Sequence, residues 1–526
     1  MKSIIKQIFI CTAIVISIGF SSCNEDFLVL YPETSIVSGT YYKTPTHFEQ
    51  ALTASYEGLR TVALQGIWMD EMRADNCHFT RFSSDRSFLE QFEYVGMFLD
   101  TEVYGNPIRD RYNGIYTSIA RVNTILDRLD GSELTNEQKT AISVEAKFLR
   151  AFYYFDLVTH YGPVPLMLKE VTAAADAFVG NSTIDAIYTQ ILRDVTDAID
   201  GGLPAVTAFP ASGRATLGAA KMLRAYVNMS KPVKDYPAAE QDLKDIVAMP
   251  YGLENDFADI YSLGNKNGKE IIFAVQFMMD GTSGQQNTIP WRLIPMCTNN
   301  LVLMGFNVQN SIGIRGGWCV PTQEFIDSYE AGDKRLDATV AVAQGVGPEQ
   351  LRVDGAPNHV LTYSAYKTAG PAAGKDYHYF TNKYYHPPYT FGSQAGDNFQ
   401  VYRYADALLL LAECLVEQNR AGDALPYLDE VRTRAGLGSV PATKQSVSDE
   451  RRHELAFENK RWTDLIRTGQ AVEVMTEFGK YIRTVDAGVP GNAFDVNASK
   501  LLYAFPEREL RLNRNLKQNP GYRDYY

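Results

Sequence analysis

Residues 405–432, "ADALLLLAECLVEQNRAGDALPYLDEVR", constrain the fold more than any other part of this chain. Leu408, Leu411, Ala412 and Leu415 recur at spacings of three and four, so they line one face of a helix. Ala424, Leu428 and Val431 do the same on a second helix. Two antiparallel helices can interlock at close range only if small residues stand where the backbones approach, and Ala412 and Ala424 supply them.

That large–small–large arrangement is the one a tetratricopeptide unit uses. The proline expected after the second helix is absent, and Gly436 stands there instead. The segment 214–248 fits the same template with an inserted loop, whereas 107–160 is too long to fit without gaps. Other helical stretches are clear. "HFEQALTASYEGLRTV" puts Phe48, Leu52, Tyr56 and Leu59 on one stripe. A helix opens at Pro107, where a missing N–H costs nothing, and stops at Gly131. The next opens on "TNEQ", a capping box, and ends at Gly162 and Pro163. Further helices are expected at about 183–200, 214–230 and 235–248, and helical periodicity returns over about 398–480. Residues 65–106 read as irregular. Residues 251–396 are rich in Gly, Asn, Tyr and Pro, with "KEIIFAVQF" as a strand and "TQEFIDSYEAGD" as a short helix.

The N-terminus constrains location. "MKSIIKQ" is a short basic region and "IFICTAIVISIGF" an apolar run too short for the ~20 residues of a membrane span. "SSC" then resembles a bacterial lipobox, with Phe20 in place of the usual Leu. The resemblance implies cleavage before Cys23 and lipidation of Cys23, so the mature chain is anchored to a membrane by lipid. The "NEDF" that follows resembles the acidic signal that sends lipoproteins to the cell surface in Bacteroidetes-type bacteria. The remaining cysteines, Cys77, Cys297, Cys319 and Cys414, fit no zinc spacing. Cys297 and Cys319 could pair in an oxidising compartment, and buried free thiols are the alternative.

Several function classes are disfavoured. A net charge of −12 over 526 residues, without a long Lys/Arg cluster, argues against a nucleic-acid partner. "RRHELAFENKRWTDLIRTG" (451–469) holds a His-Glu pair, but Phe457 stands where a zincin needs its second His. On a helix, Leu455, Trp462, Leu465 and Ile466 would form one apolar face, leaving Glu454, Glu458, Arg461 and Arg467 to form ion pairs. There is no G-x-S-x-G elbow, no P-loop and no G-x-G-x-x-G after a strand. No catalytic residue, metal site or cofactor is expected. A glycoside hydrolase remains the weaker reading, because its carboxylates meet only in the fold.

The positive candidates are aromatics in loops. Trp68, Trp291 and Trp318 lie in irregular segments, whereas Trp462 is helical. An indole stacks on the apolar C–H face of a sugar, and the hydroxyls need carboxylate, amide or guanidinium partners. Arg73, Asp75 and Asn76 lie close to Trp68 in sequence, Arg292 beside Trp291, and Arg315 near Trp318. The expected ligand contacts are therefore Trp68, Asp75, Asn76, Trp291 and Trp318.

Six ordered blocks together resemble the SusD/RagB family of outer-membrane nutrient-binding lipoproteins. They are "SSCNEDFL", "EAKFLRAFYYFDLVTHYGPVPL", "GWCVPTQEFIDSYEAGDKRLDATV", "YRYADALLLLAECL", "RRHELAFENKRWTDLIRTG" and "LKQNPGY". The resemblance implies a mainly α fold, in which a tetratricopeptide-like helical-pair scaffold carries a loop-rich, short-stranded ligand-binding part. The parts expected are a signal peptide (1–22), a lipidated tether (23–45), an N-terminal helical scaffold (46–250), the loop-rich part (251–396), and C-terminal repeats and tail (397–526). It also implies a surface lipoprotein that holds an oligosaccharide over a SusC-like TonB-dependent transporter and breaks no bond itself. A peptide-binding or structural lipoprotein on the same scaffold is the alternative.

Overall fold

The computed structural model describes residues 41–81, 90–99, 107–206, 213–279, 285–308, 310, 316–355, 359–389 and 394–524. Cys23, the leader, most of the tether and Arg315 lie outside the described residues. The fold is mainly α. The scaffold helices are α1 (Pro45–Ser55), α2 (Glu57–Gly66), α3 (Pro107–Leu129), α4 (Asn136–Tyr161), α5 (Ile184–Asp200), α6 (Leu217–Ser230) and α7 (Tyr236–Val247). After the loop-rich part come α8 (Tyr404–Glu417), α9 (Ala421–Arg434), α10 (Lys444–Glu454), α11 (Arg461–Arg467) and α12 (Ala471–Val485).

Threonine starts five of these twelve helices. The hydroxyls of Thr44, Thr135, Thr183, Thr216 and Thr443 each accept from the backbone N–H three residues on, satisfying a donor the helix cannot. At Thr135 the box is complete, because Gln138 returns the bond to the cap's own N–H. From α3 to α9 each helix packs on the next, and α7 packs directly on α8. Ala412 and Ala424 are fully buried where α8 meets α9, as the large–small–large pattern requires. The helical ladder is therefore continuous in space although the loop-rich part interrupts it in sequence.

That part leaves and re-enters the scaffold through one neck. Strand β2 (Ile271–Val275) pairs antiparallel with β8 (Phe399–Arg403), Val275 opposite Phe399 and Ile271 opposite Arg403. Beyond the neck stands a small sheet centred on β4 (Val340–Val346), with β7 (Asp376–Thr381) on one side and β5 (Arg352–Val353) and β6 (Val360–Thr362) on the other. Side chains alternate faces along a strand. Val340 and Val342 accordingly join the main core, and Ala341 and Ala343 join a second core with Trp291, Leu303 and Phe380.

Three expectations need correction. The segment 65–106 is not irregular throughout: α2 runs into a π-helical turn at Ile67–Glu71, and a short helix covers Glu90–Gly96. Helical periodicity does not begin at 398, because β8 comes first; a strand buried on both faces shows no alternation to read. Residues 451–469 are not one helix. The chain breaks between α10 and α11, where Phe457 and Asn459 take left-handed backbone conformations.

The break serves a buried network of ions. The Arg403 guanidinium reaches Glu458 at 2.7 Å, Glu270 at 2.5 Å and Glu454 at 2.9 Å. Arg335 binds Asp333 at 2.7 Å, Glu450 at 2.5 Å and Glu454 at 3.2 Å. Arg434 joins Glu270 to Glu454, and Lys383 reaches Glu458 at 2.8 Å. Burial alone would raise the Glu454 carboxyl; Arg434, Arg403 and Arg335 overcome it and hold it well below the usual carboxylate range. Burial lowers the Lys383 ammonium to about 8, against the pull of Glu458.

His453, beside this network, is a neutral ring. Its Nε2 lies 2.9 Å from the Ser328 hydroxyl, and burial, then Arg335, Arg452, Arg461 and Arg432, push its pKa down to about 3. The unfolded chain takes up this proton near 6.5, so between those values the unfolded state binds more protons and acidification destabilises the fold. Denaturant unfolding should show the advantage of wild type over His453→Gln shrinking by about 1–2 kcal/mol between pH 6.5 and 5. Parallel pH profiles for the two proteins would contradict a neutral buried His453.

Candidate functional site

The π turn after α2 aims consecutive side chains inward, so Trp68, Asp70 and Glu71 are all buried. Trp68 stacks on Phe92 at 4.5 Å and meets Trp318 edge-on at 6.4 Å. Phe92 and Phe79 in turn pack against Trp318 at 5.5 and 6.3 Å. The Arg292 guanidinium lies 5.0 Å from the Trp68 ring centroid, a cation–π contact. Trp318 is delivered by Gly316 and Gly317, both in left-handed conformations, and by a ribbon pairing β1 (Cys77–His78) with β3 (Val320–Pro321).

Trp68 and Trp318 are thus brought together, but each is at most 8% exposed and their faces are covered by one another and by phenylalanines. Trp291 is elsewhere, fully buried in the second core. Asp75 and Asn76 are also buried, and both are bound to the scaffold. Asp75 takes a two-pronged bond from Arg461 at 2.7 and 3.0 Å and a further contact from Arg452 at 3.2 Å. Burial would raise its carboxyl; the two arginines hold it far below the usual range. Asn76 donates to Glu71 and accepts from Arg452. Glu71 itself accepts backbone N–H groups from Phe457 at 2.8 Å and Asn459 at 3.0 Å, while burial pushes its carboxyl up to about 7. In this arrangement Asp75, Asn76 and Glu71 fasten the Trp68 turn to α10, α11 and the break between them.

The four candidate cysteines are all free and buried. The thiol facing Cys319 is Cys77, within hydrogen-bonding reach across the β1–β3 ribbon, while Cys297 sits in the second core. Cys297 and Cys319 lie in different cores and are unpaired, as the buried-free-thiol alternative has it.

A cluster of tyrosines on the small sheet is partly open to solvent, and these were not singled out from the sequence. A short helix, Tyr363–Ala369, lies against the sheet and sets Tyr366 4.7 Å from Tyr377 and 6.2 Å from Tyr379. Tyr363 lies 5.9 Å from Tyr379. Tyr366, Tyr377 and Tyr379 are half-buried, with polar groups at their edge: Tyr379 donates to the Gln323 carbonyl at 3.1 Å, and Gln323 donates to Tyr363 at 3.4 Å. The signal was available. Period two puts Tyr377 and Tyr379 on one face of β7, with Phe380 turned to the core, and Tyr363 and Tyr366 stand one helical turn apart. Among the described residues no group of three or more His, Cys, Asp or Glu side chains is arranged to hold a metal ion. No described helix is long and apolar enough to cross a membrane.

Residues 269–522 match the SusD family, and residues 30–222 match a family described as "Starch-binding associating with outer membrane". The chain belongs to the SusD family. Similar relatives span its length: a SusD-like protein of Formosa agariphila is 24% identical, with 95% of this chain and 97% of the relative covered. The starch-binding protein SusD of Bacteroides thetaiotaomicron is 23% identical, with 80% and 81% covered. Among solved structures, a laminarin-binding SusD-like protein superposes with a TM-score of 0.74 at 24% identity, covering 91% of this chain and all of that one. Surface glycan-binding protein A of Bacteroides thetaiotaomicron, in complex with laminarihexaose, gives 0.71 at 21% identity, with 90% and 99% covered. These likenesses establish the SusD fold for the chain, including its helical-pair scaffold.

If Asp75 holds the SusD-family scaffold together, Asp75→Asn should lower the unfolding free energy by about 3–5 kcal/mol, because Arg461 and Arg452 lose a buried counter-charge. Chemical denaturation measures this, and an unchanged midpoint would return Asp75 to the pool of ligand contacts.

Proposed function

We propose that this SusD-family chain is a cell-surface lipoprotein, lipidated at Cys23, that captures an oligosaccharide and passes it to a SusC-like TonB-dependent transporter. The observation that carries this reading is the family match along 30–222 and 269–522, the first segment described in terms of starch binding and the outer membrane. Neighbours of the same fold that bind laminarin or carry laminarihexaose support it further.

The loop-rich part supplies the ligand face. Half-buried Tyr366, Tyr377 and Tyr379 offer ring faces at low conformational cost, and the Gln323 amide beside them suits a hydroxyl. Trp68, in the turn after α2, and Trp318, beside the β1–β3 ribbon, pack on one another and stay in the proposal as support for ligand-bearing loops. Trp291 supports the second core in the same way, and Asp75 and Asn76 act through the turn that carries Trp68. No bond chemistry is assigned: the buried carboxylates at 270, 333, 450, 454 and 458 are all engaged by arginine or lysine, and Glu71, raised to about 7 by burial, is tied to the scaffold by the Phe457 and Asn459 backbone N–H groups and the Asn76 amide.

Isothermal titration of the mature chain against laminarin-derived, starch-derived and peptide ligands should give saturable binding to a glycan and none to peptide. Tyr366→Ala and Tyr379→Ala should each weaken it by about threefold to tenfold with the thermal midpoint retained. Product-free chromatograms after incubation accompany binding on this reading. Peptide binding alone, or glycan turnover, would overturn it.

A further inference from the structure

Single exposed apolar side chains are ordinary on a protein surface, whereas several gathered on one patch mark a contact. Of the eleven large apolar side chains exposed among the described residues, Val171, Phe178 and Leu512 fall on two segments that are laced together. They are 43%, 45% and 57% exposed. The first segment is the loop between α4 and α5, where every residue from Val171 to Phe178 is exposed and four of the eight are alanine. The second is the C-terminal tail, from the short helix Glu507–Leu512 onward. Asn513 donates its amide to the Val179 carbonyl at 2.7 Å, and Asn515 donates to the Phe178 carbonyl at 2.8 Å. Asn181 and Lys517 exchange two further bonds, at 2.7 and 3.0 Å. Loop and tail therefore form one surface.

That surface is also basic. The tail exposes Arg508, Arg511, Arg514 and Lys517. Its carboxylates over the same stretch are Glu507, paired with Arg511, and Glu509, and the exposed loop adds Asp176. The whole chain has a net charge of −12, so the stretch reverses the sign of the rest. Charges farther away than a Debye length, about 8–10 Å at physiological salt, are largely screened, which leaves the local arginines and Lys517 to decide what approaches.

The chain from the N-terminus also arrives here. Burial, then Tyr41 and Glu170, raise the Tyr42 hydroxyl, which places Tyr42 beside the ion pair that Glu170 makes with Arg128 at 2.7 Å. Glu170 is the residue directly before Val171, so the segment that would carry a lipid at Cys23 joins the body next to the apolar loop.

We propose that this surface rests on an anionic lipid bilayer, with Phe178, Leu512 and Val171 entering the headgroup region and the tail arginines and Lys517 meeting lipid phosphates. The inference rests on the reading of the chain as a lipid-anchored surface protein. A lipid at the end of a chain keeps the protein near the membrane without orienting it. A basic patch with apolar side chains at its centre supplies the orientation, because it can meet the bilayer only by that face.

The test is sedimentation of the mature chain, made without lipid as Cys23→Ser, with two kinds of vesicle: phosphatidylcholine alone, and one part phosphatidylglycerol to three parts phosphatidylcholine. Binding to the anionic vesicles at low salt is expected to be at least about tenfold tighter than to the neutral ones, and to be lost at high salt. Phe178→Asp with Leu512→Asp, and separately Arg508→Glu with Arg514→Glu, should each weaken it by about tenfold. The thermal midpoint should be kept in both, since all four side chains are exposed. Equal binding to the two kinds of vesicle, no binding to either (which would hand the patch to a protein partner), or binding that both variants keep would each overturn the proposal. Because the tested chain carries no lipid, these outcomes are separate from lipidation at Cys23, which the mass of the anchored protein tests.

Discussion

Glu454 is one carboxylate shared by three arginines that arrive from three different parts of the chain. Arg403 ends the neck strand, Arg335 opens a short helix leading into β4, and Arg434 ends α9. With Glu270, Glu450, Glu458 and Lys383 they form a network in which every member is essentially out of water. Such charges must be introduced together, since any one left alone would carry a large desolvation penalty. The loop-rich part, the neck and the C-terminal helices are therefore held in a single mutual arrangement. The break between α10 and α11 follows from the same demand: turning the chain there lets Glu454 and Glu458 address the network while Arg451, Arg461 and Arg467 reach Asp406, Asp75 and Glu413.

This explains how a helical ladder tolerates so long an interruption. The pairing of β2 with β8 brings the ends of the insertion together, α7 then packs on α8 as though nothing lay between, and Arg403 locks the junction. The small sheet adds a second constraint, because its central strand belongs to two cores at once, with Val342 in one and Ala343 in the other. The tyrosine surface sits on the main-core face of that sheet, so its ring positions inherit the rigidity of the strands.

Much of the scaffold was legible. Spacings of three and four located α3 to α9, and Thr135, Gly162 and the Ala412–Ala424 pair fixed boundaries and contacts by known local chemistry. The ion network was not legible as a network, because its members lie far apart in sequence and only the fold makes them neighbours. Burial could not be read for the site residues for a related reason. A tryptophan in an irregular segment looks the same whether it faces ligand or core, and Trp68, Trp291 and Trp318 face core. Asp75 and Asn76 could not be told from ligand contacts until Arg452 and Arg461 were seen to reach them. The outward aromatics were readable in principle, since Tyr377 and Tyr379 alternate on a strand and Tyr363 and Tyr366 share a helical face.

The dependence of the whole fold on Glu454 is open to direct measurement by hydrogen exchange with mass spectrometry on Glu454→Gln. The shared-carboxylate arrangement predicts that protection falls together in the neck strands 271–275 and 399–403, in 335–343 and in 444–467, while α3 to α6 keep theirs. Loss confined to 444–458, with the neck and sheet protected as in the wild type, would contradict it.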